Sequence, residues 1–191
     1  MYEVEVKVEA THEEVRPVLD ELGAESLGTV RQEDTYYDAP HRDFAATDEA
    51  LRLRRETGPD GDDGTTALTY KGPLVETESK TREEAETTVD DGEAMAAALS
   101  GLGFEPAATV VKDRERFALA GYVVTLDAVD GLGEFVEVET EVARADEVER
   151  ARDGAIEVLR SLDLDPADGI RTSYLGMLLD AQHGGTVDDC E

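Results

Sequence analysis

The sequence predicts an α+β fold, with about eight strands in a mainly antiparallel sheet and helices beside it. Three observations predict it. Eight runs alternate apolar and polar side chains with the period of two that a strand requires. Short turns rich in glycine join several of these runs, as antiparallel neighbours allow. Four other segments repeat apolar residues at helical spacing.

The first strand, residues 3–8, sets Glu3, Glu5 and Lys7 on one face and Val4, Val6 and Val8 on the other. Thr11-His12-Glu13-Glu14 has the form of a capping box. Val15, Val18, Leu19 and Leu22 then follow at helical spacing, and Gly23 can end the helix. Pro17 lies inside this helix and either kinks it or shifts its start. A long strand is predicted over 26–38, ended by Ala39-Pro40, and a polar loop over 40–49. In the next strand, 50–55, Arg52 and Arg54 share one face and Leu51 and Leu53 the other. The stretch from Gly58 to Gly64 reads as a hairpin tip, residues 66–71 as the returning strand, and Gly72-Pro73 as its stop.

The polar run 79–89 is a strand with Arg82, Glu84 and Glu86 on one face. A helix over about 92–102 is expected to bury Met95, Ala98, Leu99 and Leu102. Residues 109–120 carry Lys112, Arg114 and Arg116 on one face, Gly121 turns the chain, and 122–129 returns with Asp127. After Gly131-Leu132-Gly133, residues 135–142 set Glu137, Glu139 and Glu141 against Val136, Val138 and Val142. Asp146 opens the longest helix, with Glu149 closing a second capping box and Val148, Ala151, Ala155, Leu159 and Leu162 turned inward. A last short helix over 172–180 carries Tyr174, Leu175, Leu178 and Leu179. His12 and His41 are expected on the surface and His183 in an unstructured tail. With no linker signal, one domain over 1–182 and a flexible tail over 183–191 are expected.

Asp and Glu number 47 against 18 Lys and Arg, a formal net charge of −29. The acids are spread through periodic apolar segments, which argues for a folded chain rather than an acidic tail. Only Lys7, Lys71, Lys80 and Lys112 are lysine. A folded chain this acidic and this poor in lysine suggests a salt-rich, halophilic cytoplasm. Nucleic acid is excluded as a partner, since its backbone needs clustered Lys and Arg, and so are anionic membranes. Cys190 is alone, so neither a disulfide nor a cysteine metal site is expected. No apolar run reaches the roughly 18 residues of a membrane span, and no charged-then-apolar leader precedes Glu3. A soluble, cytoplasmic protein is the expectation.

The charged strand faces are unusual because each sign recurs in groups. On a flat sheet they would form a solvated surface; in a sheet closed on itself they would line a lumen, with helices covering the apolar outside. Buried cations are unfavourable unless paired. A ligand with several negative charges would pair them, and a divalent cation would reconcile that ligand with the neighbouring carboxylates. All-oxygen ligand groups suit Mg2+ or Mn2+. Basic side chains together with carboxylate-held metal describe a polyphosphate site.

Glu3-Val4-Glu5-Val6-Lys7 resembles the N-terminal ExExK signature of the CYTH superfamily, the triphosphate tunnel metalloenzymes. Asp34 to Asp38, Leu51 to Arg54, Tyr70 to Pro73, Arg82 to Glu86, Lys112 to Arg114, and the stretch from Asp127 to Glu139 resemble its other blocks, in order, over about residues 1–180. The likeness is greatest to class IV adenylate cyclase-like members, partly through Leu132 to Glu139 and Ser173-Tyr174-Leu175. This resemblance implies an eight-stranded antiparallel closed β-barrel, a tunnel that holds a triphosphate. It implies phosphate-binding roles for Lys7, Arg52, Arg54, Lys71, Lys112 and Arg114, and metal-binding roles for Glu3, Glu5, Asp127, Glu137 and Glu139, with Mg2+ or Mn2+ as cofactor. In hydrolytic members a Tyr-Lys pair activates water, and Tyr36 and Lys71 occupy the matching places. Arg82, Glu84, Glu86, Arg116 and Glu141 receive no role. No lysine follows Lys112, where some triphosphatases carry one, and Arg171 is the substitute on offer.

The implied enzyme is an adenylate cyclase, forming cyclic AMP and pyrophosphate from ATP, or a triphosphatase acting on inorganic triphosphate, thiamine triphosphate or a nucleotide. A non-catalytic module that binds polyphosphate or nucleotide is the further alternative. The expected partner is a small-molecule triphosphate, and a homodimer is an open expectation. The charge balance yields a prediction of its own. Screening contracts from about 10 Å at 0.1 M salt to about 3 Å at 1 M, so the melting temperature is expected to climb with KCl across that range. A flat or falling curve in calorimetry would refute the salt-adapted reading.

Overall fold

The computed structural model describes residues 1–59, 61, 64–75 and 81–184. Eight strands close into an antiparallel barrel: β1 (Tyr2–Glu9), β2 (Glu25–Asp38), β3 (Ala50–Thr57), β4 (Thr65–Leu74), β5 (Arg82–Val89), β6 (Glu105–Leu119), β7 (Tyr122–Val129) and β8 (Gly133–Val142). Their order around the barrel is β1-β5-β4-β3-β2-β6-β7-β8, and β8 returns to β1. Most steps join sequence neighbours, because hairpins are the short way to pair antiparallel strands. The β6–β7 hairpin turns on Ala120 and Gly121, both at positive φ (53° and 85°), which matches the right-handed twist of the flanking strands.

The seams are unequal. β1 pairs with β8 along its whole length, from Tyr2↔Val142 to Glu9↔Phe135. Against β5 it has only Tyr2↔Glu83 and Glu3↔Arg82. Side chains inside the barrel reinforce that short seam, as described below.

Helices cover one side of the barrel. α1 (His12–Glu21) and α4 (Val148–Ser161) lie over the apolar outer faces of β1, β7 and β8. Val8, Val124, Leu126, Val136 and Val138 meet Val15, Leu19, Ala155, Val158, Leu159 and Leu162 there in one buried cluster. Gly154 is required in α4 because the Tyr122 ring fills the space a Cβ would occupy, and the Tyr122 hydroxyl donates to Ala151 O at 3.0 Å. A second cluster closes one end of the barrel, where Tyr174 of α5 (Tyr174–Gly184) packs with Tyr36, Val110, Val129 and Phe135.

Several local expectations need correction. Thr11 makes no side-chain cap. Glu134 serves instead, its carboxylate accepting from His12 N at 2.8 Å. His12 is buried rather than on the surface, with Nε2 3.1 Å from Phe135 O, whereas His41 is exposed as expected. Pro17 does lie inside α1. The loop 40–49 contains a helical turn, α2 (Phe44–Thr47), capped by Asp43. Gly72-Pro73 does not stop β4. It forms a register shift between Lys71 and Leu74, and the strand runs on. A bulge leaves a backbone N–H out of the ladder, so proline is tolerated there.

In α3 (Gly92–Gly101) only Leu99 of the expected stripe is buried, and Leu102 is exposed. α4 starts after a 3-10 turn (Ala145–Glu147) with no Asp146–Glu149 capping box. Glu147 reaches back to Arg144 N at 3.2 Å instead. α5 runs to Gly184, so His183 is helical. Lys80, the start of the expected strand at 79 and residues 185–191 with Cys190 lie outside the described residues.

Candidate active site

Because side chains alternate along each strand, barrel closure sends one face of every strand inward. The charged faces go inside. A cavity of about 920 Å³ is lined by Arg52, Arg54, Lys71, Arg82, Lys112 and Arg114, and by Glu3, Glu5, Glu84, Glu86, Glu137 and Glu139. Tyr36 lines it as well. Lys7 and Asp127 also point inward but are covered. Tyr174 lies over them, donating to Asp127 Oδ2 at 3.0 Å, with its ring centroid 4.1 Å from Lys7 Nζ. Lys7 Nζ donates to Thr172 O at 2.7 Å.

Three arrangements organise these charges. In the first, Asp34, fully buried on β2, accepts from Arg54 through Nε (2.6 Å) and Nη2 (2.7 Å) and from Lys112 Nζ (3.0 Å). Arg52 Nη1 lies 3.5 Å away. The two arginines come from β3 and the lysine from β6, the strands on either side of β2. These cations and the burial of Asp34 oppose one another, and the cations win: the Asp34 carboxyl is held well below its usual range. Burial, then Arg54, push Lys112 down to about 8 against the pull of Asp34.

In the second, Arg114 makes a two-pronged contact with Asp127 (2.6 and 2.5 Å) and reaches Glu137 at 2.5 Å. In the third, Lys71 of β4 holds Glu3 of β1 at 2.8 Å and also pairs with Glu84 of β5. This clasp spans the β1–β5 seam, where backbone pairing is shortest. Burial, reinforced by Glu3, pushes Glu84 up to about 8. Burial works against Glu3 too, but Lys71 and the hydrogen bond with Glu84 outweigh it and hold Glu3 low.

Glu5, Glu137 and Glu139 each present a carboxylate oxygen within 4.8 Å of the others'. Burial, and the carboxylates of Glu3, Glu137 and Glu5, raise Glu139 to about 7 even though Arg114 pulls it down. An all-oxygen trio, with Glu5 and Glu137 buried and Glu139 half-buried, fits a hard divalent cation. Of the five acids expected as metal ligands, these three converge. Glu3 is turned to Lys71, and Asp127 to Arg114 and Tyr174.

The unassigned residues also find places. Arg82 clamps the end of α2, donating to Asp48 O (2.8 Å) and Oδ2 (3.0 Å). Asp48 there has a left-handed φ of 53°. Glu86 accepts from Thr69 Oγ1 at 2.7 Å, and Arg116 pairs with Glu56 at 3.2 Å. Arg171 is exposed and does not line the cavity. Tyr36 and Lys71 line the same cavity, while the Tyr36 ring belongs to the apolar end with Tyr174. Asp34 and Tyr174 carry no site role legible from the sequence, although Asp34 shares its strand face with Gln32 and Tyr36, both buried inside.

Residues 1–174 match the CYTH domain. The chain belongs to the CYTH family. A protein of Methanocaldococcus jannaschii named "Putative adenylate cyclase MJ0240" is 37% identical over 176 residues, spanning 92% of this chain and 97% of that one. Among solved structures, the PH1819 protein of Pyrococcus horikoshii OT3 is 39% identical over 94% of this chain and 99% of its own, with a TM-score of 0.87. The PH1012 protein of the same organism is 26% identical over 91% and 97%, with a TM-score of 0.76.

The raised carboxyls give a pH prediction. Glu84 and Glu139 keep protons in the folded CYTH barrel up to about 8 and about 7, but release them near 4.5 when unfolded. Between those limits the native state binds more protons, so this contribution to stability falls as pH rises. Metal-free protein is expected to lose stability from about pH 5 to about pH 8 in denaturant titrations, and Glu84→Gln should flatten the decline. An unchanged slope in Glu84→Gln would show that Glu84 does not carry the proton.

Proposed function

We propose that this CYTH protein is a metal-dependent enzyme acting on a triphosphate held in the barrel, and that its reaction is that of an adenylate cyclase. One observation carries the reading: cations from β3, β4 and β6 converge in a closed tunnel on the same cavity as a carboxylate trio suited to a divalent cation. The 37% identical relative bearing the cyclase name supports the choice of reaction.

In this reading Arg52, Arg54 and Lys112 hold phosphate oxygens on one wall, with Arg114 and Lys71 on the others. Arginine forks suit paired phosphate oxygens, and lysine acts as a point charge. Glu5, Glu137 and Glu139 would hold Mg2+ or Mn2+, which when bound supplies charge neutralisation at the phosphate oxygens. The residues do the rest by positioning and electrostatics, which dominate phosphoryl chemistry. The ribose 3′-oxygen bonds to the α-phosphorus while the bond from that phosphorus to the bridging oxygen breaks. The hydroxyl proton passes to a lumen carboxylate or to water, and pyrophosphate leaves with its new charge facing the arginines. Burial in the low-dielectric lumen strengthens each of these contacts.

A triphosphatase reading has an observation of its own: Tyr36 and Lys71 line the cavity together, and water would then attack the terminal phosphorus. The deciding experiment incubates the protein in high salt with ATP and with tripolyphosphate, each with Mg2+ or Mn2+. The expected products from ATP are cyclic AMP and pyrophosphate. Orthophosphate alone would make the enzyme a triphosphatase. Tight binding without turnover would make it a binding module, and absence of binding would overturn the triphosphate reading.

A further inference from the structure

We propose that Asp34 is a positioning residue for triphosphate binding, a built-in counter-anion that gathers Arg52, Arg54 and Lys112 into a cradle and keeps the lysine charged while the tunnel is empty. The proposal rests on the triphosphate reading above and adds a residue that touches no ligand. Asp34 is fully buried and does not line the cavity, whereas all three of its cations do. It therefore stands behind them, on the β2 wall, with the ligand space in front.

Three cations crowded on one patch of wall repel one another. Two unit charges 4 Å apart interact by about 4 kcal/mol at an effective dielectric of 20. An empty tunnel offers two ways to relieve that repulsion. The long side chains can splay apart, or the lysine can lose its proton, since burial already penalises its charged form. Asp34 blocks both. Its two oxygens fix the Arg54 fork through Nε and Nη2, and Oδ2 also takes Lys112 Nζ at 3.0 Å. Arg52 is tied from two sides, to Asp34 and, through Nε, to Thr69 Oγ1 at 3.4 Å. One carboxylate facing three cations also leaves a surplus of positive charge, which an incoming phosphate chain can use. A second carboxylate in the same place would halve that surplus.

Lys112 reports on this arrangement. The groups that face it are Asp34 from β2, Arg54 from β3, Arg114 on its own strand, Asp127 from β7 and the Tyr174 ring from α5, whose centroid lies 5.6 Å from Nζ, with Arg52 of β3 sharing Asp34 Oδ2 and Lys7 of β1 sharing the Tyr174 ring. Asp34 is the anion in direct contact. Its removal lets burial and the neighbouring arginines draw the lysine's proton off at lower pH. A triphosphate binds best to the protonated lysine. The Lys112 contribution to affinity should thus be level below its free-state pKa and fall by about tenfold per pH unit above it, superimposed on a slope from Glu84 and Glu139 that Asp34→Asn shares with wild type.

The experiment is calorimetric titration of full-length protein with tripolyphosphate and Mg2+ in high salt, across about pH 6 to 9. It compares wild type with Asp34→Asn, which keeps the shape and loses the charge. Wild-type affinity is expected to break near pH 8, where Lys112 deprotonates. In Asp34→Asn the break should move down by about one unit or more, with binding weakened about tenfold at pH 8 and largely recovered at pH 6. Turnover should show the loss mainly in KM. A folded Asp34→Asn whose break stays at the wild-type pH overturns the proposal, because a residue needed only for packing would lower the melting temperature without moving that break. Should Asp34→Asn fail to fold, Lys112→Met decides: the fall of about tenfold per unit above about pH 8 must vanish, leaving only the slope that Glu84 and Glu139 impose, and its persistence overturns the proposal. Failure of the wild type to bind tripolyphosphate at any pH would instead overturn the triphosphate reading itself.

Discussion

A guanidinium or ammonium withdrawn from water is unfavourable by several kcal/mol unless a counter-charge meets it, and among the described residues this barrel turns eight of them inward: Lys7, Arg52, Arg54, Lys71, Arg82, Lys112, Arg114 and Arg116. Each inward cation has an acid or a backbone carbonyl against it. Asp34 serves Arg52, Arg54 and Lys112; Asp127 and Glu137 serve Arg114; Glu3 and Glu84 serve Lys71; Glu56 serves Arg116. The antiparallel ladder makes this possible. Pairing between neighbouring strands places inward residues side by side, so a carboxylate on one strand meets a cation on the next.

The same alternation separates chemistry from stability. Valines and leucines facing out of β1, β7 and β8 are sealed by α1 and α4, so the apolar core lies outside the barrel and the lumen is left for charge. The short β1–β5 seam shows how the two functions meet. Backbone pairing there is brief, and the Lys71 clasp ties β4, β5 and β1 together from within. At the other end, Tyr174 joins an apolar cluster with its ring and a charged pair with its hydroxyl. Side chains that bind a ligand in such a lumen also hold the barrel closed, so the site and the fold share one electrostatic balance.

Much of this was legible in the sequence because strand periodicity is local. The alternation in 122–129 and 135–142 placed Asp127, Glu137 and Glu139 on inward faces, and the paired arginines at 52 and 54 did the same for β3. What could not be read was which acid meets which cation. Glu3, Glu5, Asp127, Glu137 and Glu139 look alike along the chain, yet the offset between strands gives Glu3 to Lys71 and Asp127 to Arg114, leaving Glu5, Glu137 and Glu139 to converge. Asp34 was passed over because its partners lie 18, 20 and 78 positions away. His12 looked like a surface residue for the same reason, since Glu134 and Phe135, which enclose it, come from β8. Gly72-Pro73 misled for a local reason: a bulge accepts the residues that normally end a strand.

The central claim is that the inward cations and the carboxylate trio serve one bound polyphosphate. A crystal structure grown with tripolyphosphate and Mn2+, phased so that manganese is located by its anomalous signal, tests it most directly. The account predicts a manganese peak among Glu5, Glu137 and Glu139, with the phosphate chain running from it toward Arg52, Arg54 and Lys112 inside the barrel. Phosphate and metal found only on the outer surface, with an intact and empty tunnel, would contradict it.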